Sequence, residues 1–319
     1  MRENGKIDFK KTAVYEYLPL LIAFVLVLAF FGITTNHFFT VRNFLNILLY
    51  AANVGIMCCT MTLILVSGNI DLSIGSVIAF GGIVLGSILE KGYPVGLAML
   101  GALGACTLTG VYNAIMITKV HVNAFITTLA GMQMFRGFAY LITNGKAITI
   151  GDPVIKQIGR GYLGPIPNAV IIMLILVVAF TLIATYTTFG RRIYVIGGNS
   201  QVAFLSGINV SRTMTGLFIL NGLMCGITTL VYCSQLGAAM PQNATGFEFD
   251  VITAVVLGGT SMAGGKGTIV GSIIGALLIG TLNNGMVMMN VQSYWQDVIG
   301  GIVLVIAVIF DIIKNRKRA

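Results

Sequence analysis

Charge is scarce in this chain. Only 9% of its 319 residues are charged, and ten of those are acidic. An ordinary soluble protein carries about a quarter charged residues. So few charges cannot coat the surface of a soluble globule. Histidine occurs twice, at His37 and His121. The two fall in loops on opposite faces, so they form no catalytic or metal pair. The five cysteines (Cys58, Cys59, Cys106, Cys225 and Cys233) all sit within apolar runs. They show neither metal-ligand spacing nor a disulfide framework, and read as small buried hydrophobes. No polar stretch exceeds about two dozen residues, too short for a core of its own. The chain is therefore expected to be one membrane domain, residues 1–319. Strands of period two separated by turns, the mark of a membrane β-barrel, are also missing.

Apolar residues fill the space, at 56% of the chain. Mean hydropathy is +0.93. Long uncharged runs recur, each near the ~20 residues that cross a bilayer as a helix. Only a helix satisfies its own backbone there. The expectation is an all-α polytopic integral membrane protein of about ten transmembrane helices. They cover residues 17–35, 44–66, 71–89, 95–118, 122–142, 169–186, 214–236, 249–258, 268–288 and 298–313. The first reads as a retained anchor, since no small-residue cleavage site follows it. A polar loop rich in Gly and Pro is expected at 143–167.

Basic residues fix the orientation. One set of segments holds Arg2, Lys6, Lys10, Lys11, Lys119, Arg191, Arg192, Arg212, Lys266, Lys314, Arg316, Lys317 and Arg318. The other holds Arg42, Lys91, Lys146, Lys156 and Arg160, and Arg136 falls within a span. Cytoplasmic loops carry the excess of Lys and Arg. An even number of spans with both termini cytoplasmic follows. The net charge of +9 is explained this way. No basic patch with interleaved aromatics suggests nucleic acid.

The interruptions are more informative than the spans. Ser67–Ser73 breaks two apolar runs and carries Asp71. Asp71 reads either as the N-cap of the third helix or as part of a broken helix lining a solute cavity. A second break, residues 257–267, is rich in Gly and includes Thr260. It is no phosphate loop, because Thr260 stands where the first Gly belongs and Gly267 where Ser or Thr belongs. Gly267, Gly271 and Gly275 are expected to form a flat helix face for close packing. Asn53, Ser73, Asn123, Gln133, Arg136, Asn283 and Asn284 are further candidates for a substrate path, together with Asp71 and Thr260. Amides, with Phe135, Phe138 and Tyr140 nearby, suit a hydroxylated solute. Asn199 is a good N-cap for a brief cytosolic helix that Gly207 can end.

Five stretches resemble one family. They are SGNIDLSIGS (67–76), TNGKAI (143–148), GGNSQVAFLSGINV (197–210), residues 249–285, and SYWQDVIGGIVLVIAVIFD (293–311). In that order they resemble permease subunits of ABC importers for ribose and related sugars. The resemblance implies alternating access, driven by two cytosolic ATP-binding subunits and fed by an extracytoplasmic sugar-binding protein. It implies a second permease copy, as a homodimer or a heterodimer, in a bacterial inner membrane and its lipid. It places Gly197, Gly198, Asn199, Leu205, Ser206, Gly207 and Ile208 in the segment that couples to the ATPase. Relatives commonly carry an acidic residue and two alanines after Gly-Gly-Asn; this chain has Ser200, Gln201 and Val202. The chain itself would catalyse nothing and need no cofactor. Ribose is the first expectation, with other pentoses, hexoses, autoinducer sugars and nucleosides open. An ion-coupled secondary carrier is the alternative from a different class, resting on Asp71 and Arg136 as relay groups.

Overall fold

The computed structural model describes residues 9–316, with side chains described for 17–313. Arg2, Lys6, Lys317 and Arg318, part of the basic count at the termini, lie outside the described residues. So do the side chains of Lys10, Lys11, Lys314 and Arg316.

The chain is mainly helical. In order come α1 (Phe9–Thr34), α2 (Val41–Val66), α3 (Ile74–Glu90), α4 (Val95–Thr118) and α5 (Ala124–Thr143). Next are α6 (Pro153–Arg160), α7 (Asn168–Tyr186), α8 (Thr188–Gly198) and α9 (Ser200–Leu205). The last four are α10 (Val210–Leu236), α11 (Phe247–Leu257), α12 (Ile269–Met288) and α13 (Ser293–Arg316). Seven of them (α1, α2, α4, α7, α10, α12 and α13) are long and apolar enough to cross a membrane. This is a multi-pass membrane protein. Helix α5 has the length, at 20 residues, but carries Gln133 and Arg136. Helices α3 and α11 are short, at 17 and 11 residues.

Three expectations need correction. The 143–167 stretch is not a plain loop: Asp152 caps α6, accepting from the amides of Val154 and Ile155. Strand β1 (Ile148–Thr149) precedes α6, and β2 (Tyr162–Leu163) and β3 (Ile166–Pro167) pair as a hairpin after it. β1 in turn pairs antiparallel with β4 (Ala238–Ala239). The fold is thus all-α only apart from these two-residue ladders. The segment after α7 is also more helical than expected, because α8 leads directly into α9. Finally, Gly267 lies before α12, so only Gly271 and Gly275 share its face. A Cβ on Gly275 would run into the backbone of α11 at Ala254, and one on Gly271 into Gly258 just past its end. Close packing on a small-residue face holds for those two glycines.

Helix α2 forms the centre, buried along most of its length and packed by α7, α10, α11 and α12. Helices α4 and α10 approach closely where Gly110 meets Gly222, with only 3.0 Å from a Cβ on the first to the Cα of the second. Helices α1 and α13 are peripheral, with exposed apolar side chains along both. Helix α10 has 27 residues, so at a rise of ~1.5 Å per residue it separates two ends of the bundle by about 40 Å. At its start lie α8 and α9; at its end lie β1 and β4.

Candidate functional site

The last turns of α10 open onto a cavity of about 400 Å³ shared with α2, α11 and the turn at 240–246. Its polar lining comes from Tyr50, Asn53, Gln235 and Asp250, and its aromatic lining from Tyr232 and Phe247. Helical spacing explains two of these: Tyr50 and Asn53 are three residues apart on one face of α2. The Tyr50 hydroxyl donates to Asp250 Oδ2 at 2.6 Å and accepts from Asn283 Nδ2 at 2.6 Å. Asn53 Nδ2 donates to Gln235 Oε1 at 2.6 Å. That leaves Asn53 Oδ1 and Gln235 Nε2 buried with no protein partner. Unpaired buried polar atoms are costly and call for an explanation. A hydroxyl group can donate to the one and accept from the other. The Tyr232 and Phe247 rings meet edge to face at 6.2 Å, presenting an apolar wall beside the amides. Amides and carboxylates beside aromatic rings suit a small polyhydroxylated molecule.

Arg136 holds the roof of this cavity. One guanidinium nitrogen, Nη1, donates to Pro241 O at 2.5 Å and to Asn243 O at 2.6 Å. The turn it holds contains Ala244 at φ 54° and Gly246 at φ 78°. Left-handed backbone at alanine persists only where surroundings over-determine it. Glu248, buried in the first turn of α11, feels the Arg136 charge.

Asp71 lies elsewhere, in a buried knot. Its Oδ1 accepts from Ser73 N at 2.8 Å and Ser73 Oγ at 2.6 Å. Its Oδ2 accepts from Asn221 Nδ2 at 2.8 Å and Asn113 Nδ2 at 3.4 Å. Thr60 closes the set by donating to Asn221 Oδ1 at 2.6 Å. Asp71 is not the N-cap of α3; Ser73 holds that position. The carboxylate instead ties the break to α4 and α10.

The remaining candidates scatter. Asn284 is half-buried beside Asn283, and its Oδ1 lacks a protein partner. Asn123 is exposed and caps α5 by accepting from Phe125 N at 2.9 Å. Gln133 is exposed on α5. Thr260 is buried at the opposite end from the cavity, beneath Gly267. Phe135 and Phe138 pack with Phe80 rather than line the cavity. Tyr50, Tyr232, Phe247 and Asp250 are the additions, and Gln235, like Asn53 an amide within a span, joins them. The two acids opening α11 were the signal available in the sequence.

At the far end both breaks meet the segment that runs through α8 and α9. Gly265 N donates to Val66 O at 2.8 Å. Gly197 stacks on the same contact: a Cβ there would overlap Val66 O and come within 2.7 Å of Gly265 N. Tyr194 on α8 donates to Gly267 O at 2.8 Å. Asn199 caps α9, accepting from Gln201 N at 3.0 Å and Val202 N at 3.1 Å. Gly207, at φ 80°, ends it. There Ile208 N reaches Ala203 O at 3.0 Å and Gly207 N reaches Phe204 O at 2.9 Å, a Schellman closure. Ala203 is buried, whereas Phe204 and Leu205 are 71% and 83% exposed.

A family model described as "Branched-chain amino acid transport system / permease component" matches residues 43–308. The chain is 39% identical to the ribose import permease protein of Escherichia coli (strain K12), over 99% of this chain and 98% of that protein. It is 40% identical to the ribose import permease protein of Bacillus subtilis (strain 168), over 92% of this chain and 91% of that one. Identity to the xylose transport system permease protein of Escherichia coli (strain K12) is 32%, over 98% and 96%. No solved structure matches.

Proposed function

The chain belongs to the permease-component family of branched-chain amino acid transport systems and is a monosaccharide-type ABC importer permease; on that premise we propose that it carries ribose or a closely related pentose. The observation that carries this reading is the cavity with Asn53 and Gln235 paired through one bond only, beside Tyr232 and Phe247. Like-named relatives match along the full chain, which supports ribose first and xylose next. The importer works by alternating access, with ATP hydrolysed by two separate cytosolic subunits and sugar delivered by an extracytoplasmic binding protein.

Ten crossings of a bacterial inner membrane follow from counting α3, α5 and the short α11 with the seven longer spans. Both termini are cytoplasmic and the cavity opens towards the outside. The segment from Gly197 to Ile208 then faces the cytosol and presents Phe204 and Leu205 to the ATPase. The substrate path includes Asn53, Asn283, Asn284 and Arg136. Asp71, Ser73 and Thr260 act beyond the cavity, at the breaks that move with the coupling segment. Asn123 and Gln133 join the path where a second copy covers α5. A bare amide facing lipid is unfavourable. A homodimer supplies the cover.

The test is uptake of labelled sugars by proteoliposomes holding the permease, its ATPase and its binding protein. Ribose is expected to be taken up ahead of xylose and hexoses. Asn53→Ala and Gln235→Ala are expected to cut ribose uptake by tenfold or so, about the 1.4 kcal/mol of a hydrogen bond at the upper end of its net range. Unaltered uptake in both variants at matched reconstitution would sink the cavity assignment.

A further inference from the structure

A second cavity, of about 710 Å³, lies at the Gly197 end between the peripheral helices α1 and α13. Leu20, Ala23, Leu257, Ile306, Ala307 and Phe310 give it an apolar body. Its rim carries Lys266 together with Tyr17 and Thr268, whose hydroxyls bond at 2.5 Å. Asp311 also borders it, but its Oδ2 accepts from Met262 N at 3.1 Å and Ser261 Oγ at 3.4 Å. That carboxylate is therefore engaged with the loop before Lys266.

Helix α1 packs on α12, and α13 packs on α11. The space left between them is walled by membrane-crossing helices, so at this depth it meets acyl chains. An apolar body suits such a chain. The rim sits where α11 ends and α12 begins, which puts it at headgroup level, and Lys266 is exposed there. A basic residue at the mouth of a cleft between spanning helices is the pattern that recognises an anionic headgroup. The sequence adds Lys314, Arg316, Lys317 and Arg318 directly after α13's described side chains. Basic residues near a membrane surface add attraction for anionic lipid.

We propose that this cleft is a binding site for one anionic phospholipid. An acyl chain lies against Leu20, Ala23 and Phe310, and the phosphate meets the Lys266 ammonium. Nothing in the sugar cavity or in transport is needed for this binding.

The experiment is native mass spectrometry of the full chain, stripped of lipid in detergent and supplied with phosphatidylglycerol or phosphatidylcholine. One phosphatidylglycerol per chain is expected to be retained in preference to phosphatidylcholine. Lys266→Gln is expected to weaken that retention about fivefold, the weight of one basic residue near an anionic surface. Lys266→Arg is expected to keep it. Ala23→Trp fills the cleft from an exposed position on α1 and is expected to abolish retention with Lys266 intact. Equal retention of the two lipids, or phosphatidylglycerol held equally by the wild type and Lys266→Gln, overturns the headgroup assignment. Retention unchanged in Ala23→Trp overturns the cleft itself. Unchanged elution and melting of the variants check that they are folded.

Discussion

Four donors converge on the carboxylate of Asp71, and none of them is a cation. Replacing it by Asn removes an acceptor oxygen and turns an NH2 group towards other N–H donors. Asp71→Asn is therefore expected to lose about 1.5–3 kcal/mol, the worth of bonds to a charged group. A thermal melt in detergent measures this. Arg136 acts in the opposite sense, as one donor group serving two carbonyls of a turn. Arg136→Gln leaves one of those acceptors unpaired in the cavity roof. The expected result is a loss of about 1–3 kcal/mol, with faster proteolysis confined to residues 238–246. Uniform cleavage along the chain would argue that the clamp is not local.

At the scale of elements, the sharpest contrast is between two adjacent glycines at the end of α8. A Cβ on Gly197 overlaps Val66 O, whereas one on Gly198 meets nothing within 4 Å. Gly197→Ala is expected to uncouple ATP hydrolysis from uptake in the reconstituted importer, and Gly198→Ala to leave both unchanged. Similar behaviour of the two would remove the contact of Gly197 with Val66 and Gly265 from the mechanism. The ends of α9 were legible in the sequence because capping is local: Asn199 bonds amides two and three residues on, and Gly207 takes the left-handed turn. The company kept by Asn53 was not legible. Gln235 lies 182 residues away, and only the crossing of α2 and α10 brings it near. Gln133 and Asn123 looked alike with Asn53 in sequence, all being amides in apolar runs. The direction each helix face takes divides them. Likewise α6 was hidden inside residues 143–167 because it opens on Pro153, contains Gly159 and is flanked by Gly151 and Gly161, which masked eight helical residues.

For the whole molecule, the proposed second copy is expected against the exposed face of α5 that carries Gln133. The native cysteines are all buried, so one introduced thiol reports alone. Gln133→Cys is expected to give a cross-linked dimer in membranes treated with a short bifunctional maleimide. Ile309→Cys, on the exposed side of α13, is expected to give none. Cross-linking from α13 and none from α5 would reverse the assignment of the seam between copies.

The contact of Gly197 with Val66 and Gly265 also limits how parts of such permeases can be exchanged. The tip of the segment between α7 and α10, Ser200–Leu205, touches the rest through little more than the buried Ala203. A graft from another permease is therefore expected to replace that tip, and with it the proposed ATPase contact. The joint beneath it admits no such freedom: a donor segment bearing any side chain at position 197 has no room against Val66 O. Hybrid importers assembled from this chain are thus expected to work when the junction falls after Asn199, and to fail when it falls before Gly197 and the donor lacks glycine there.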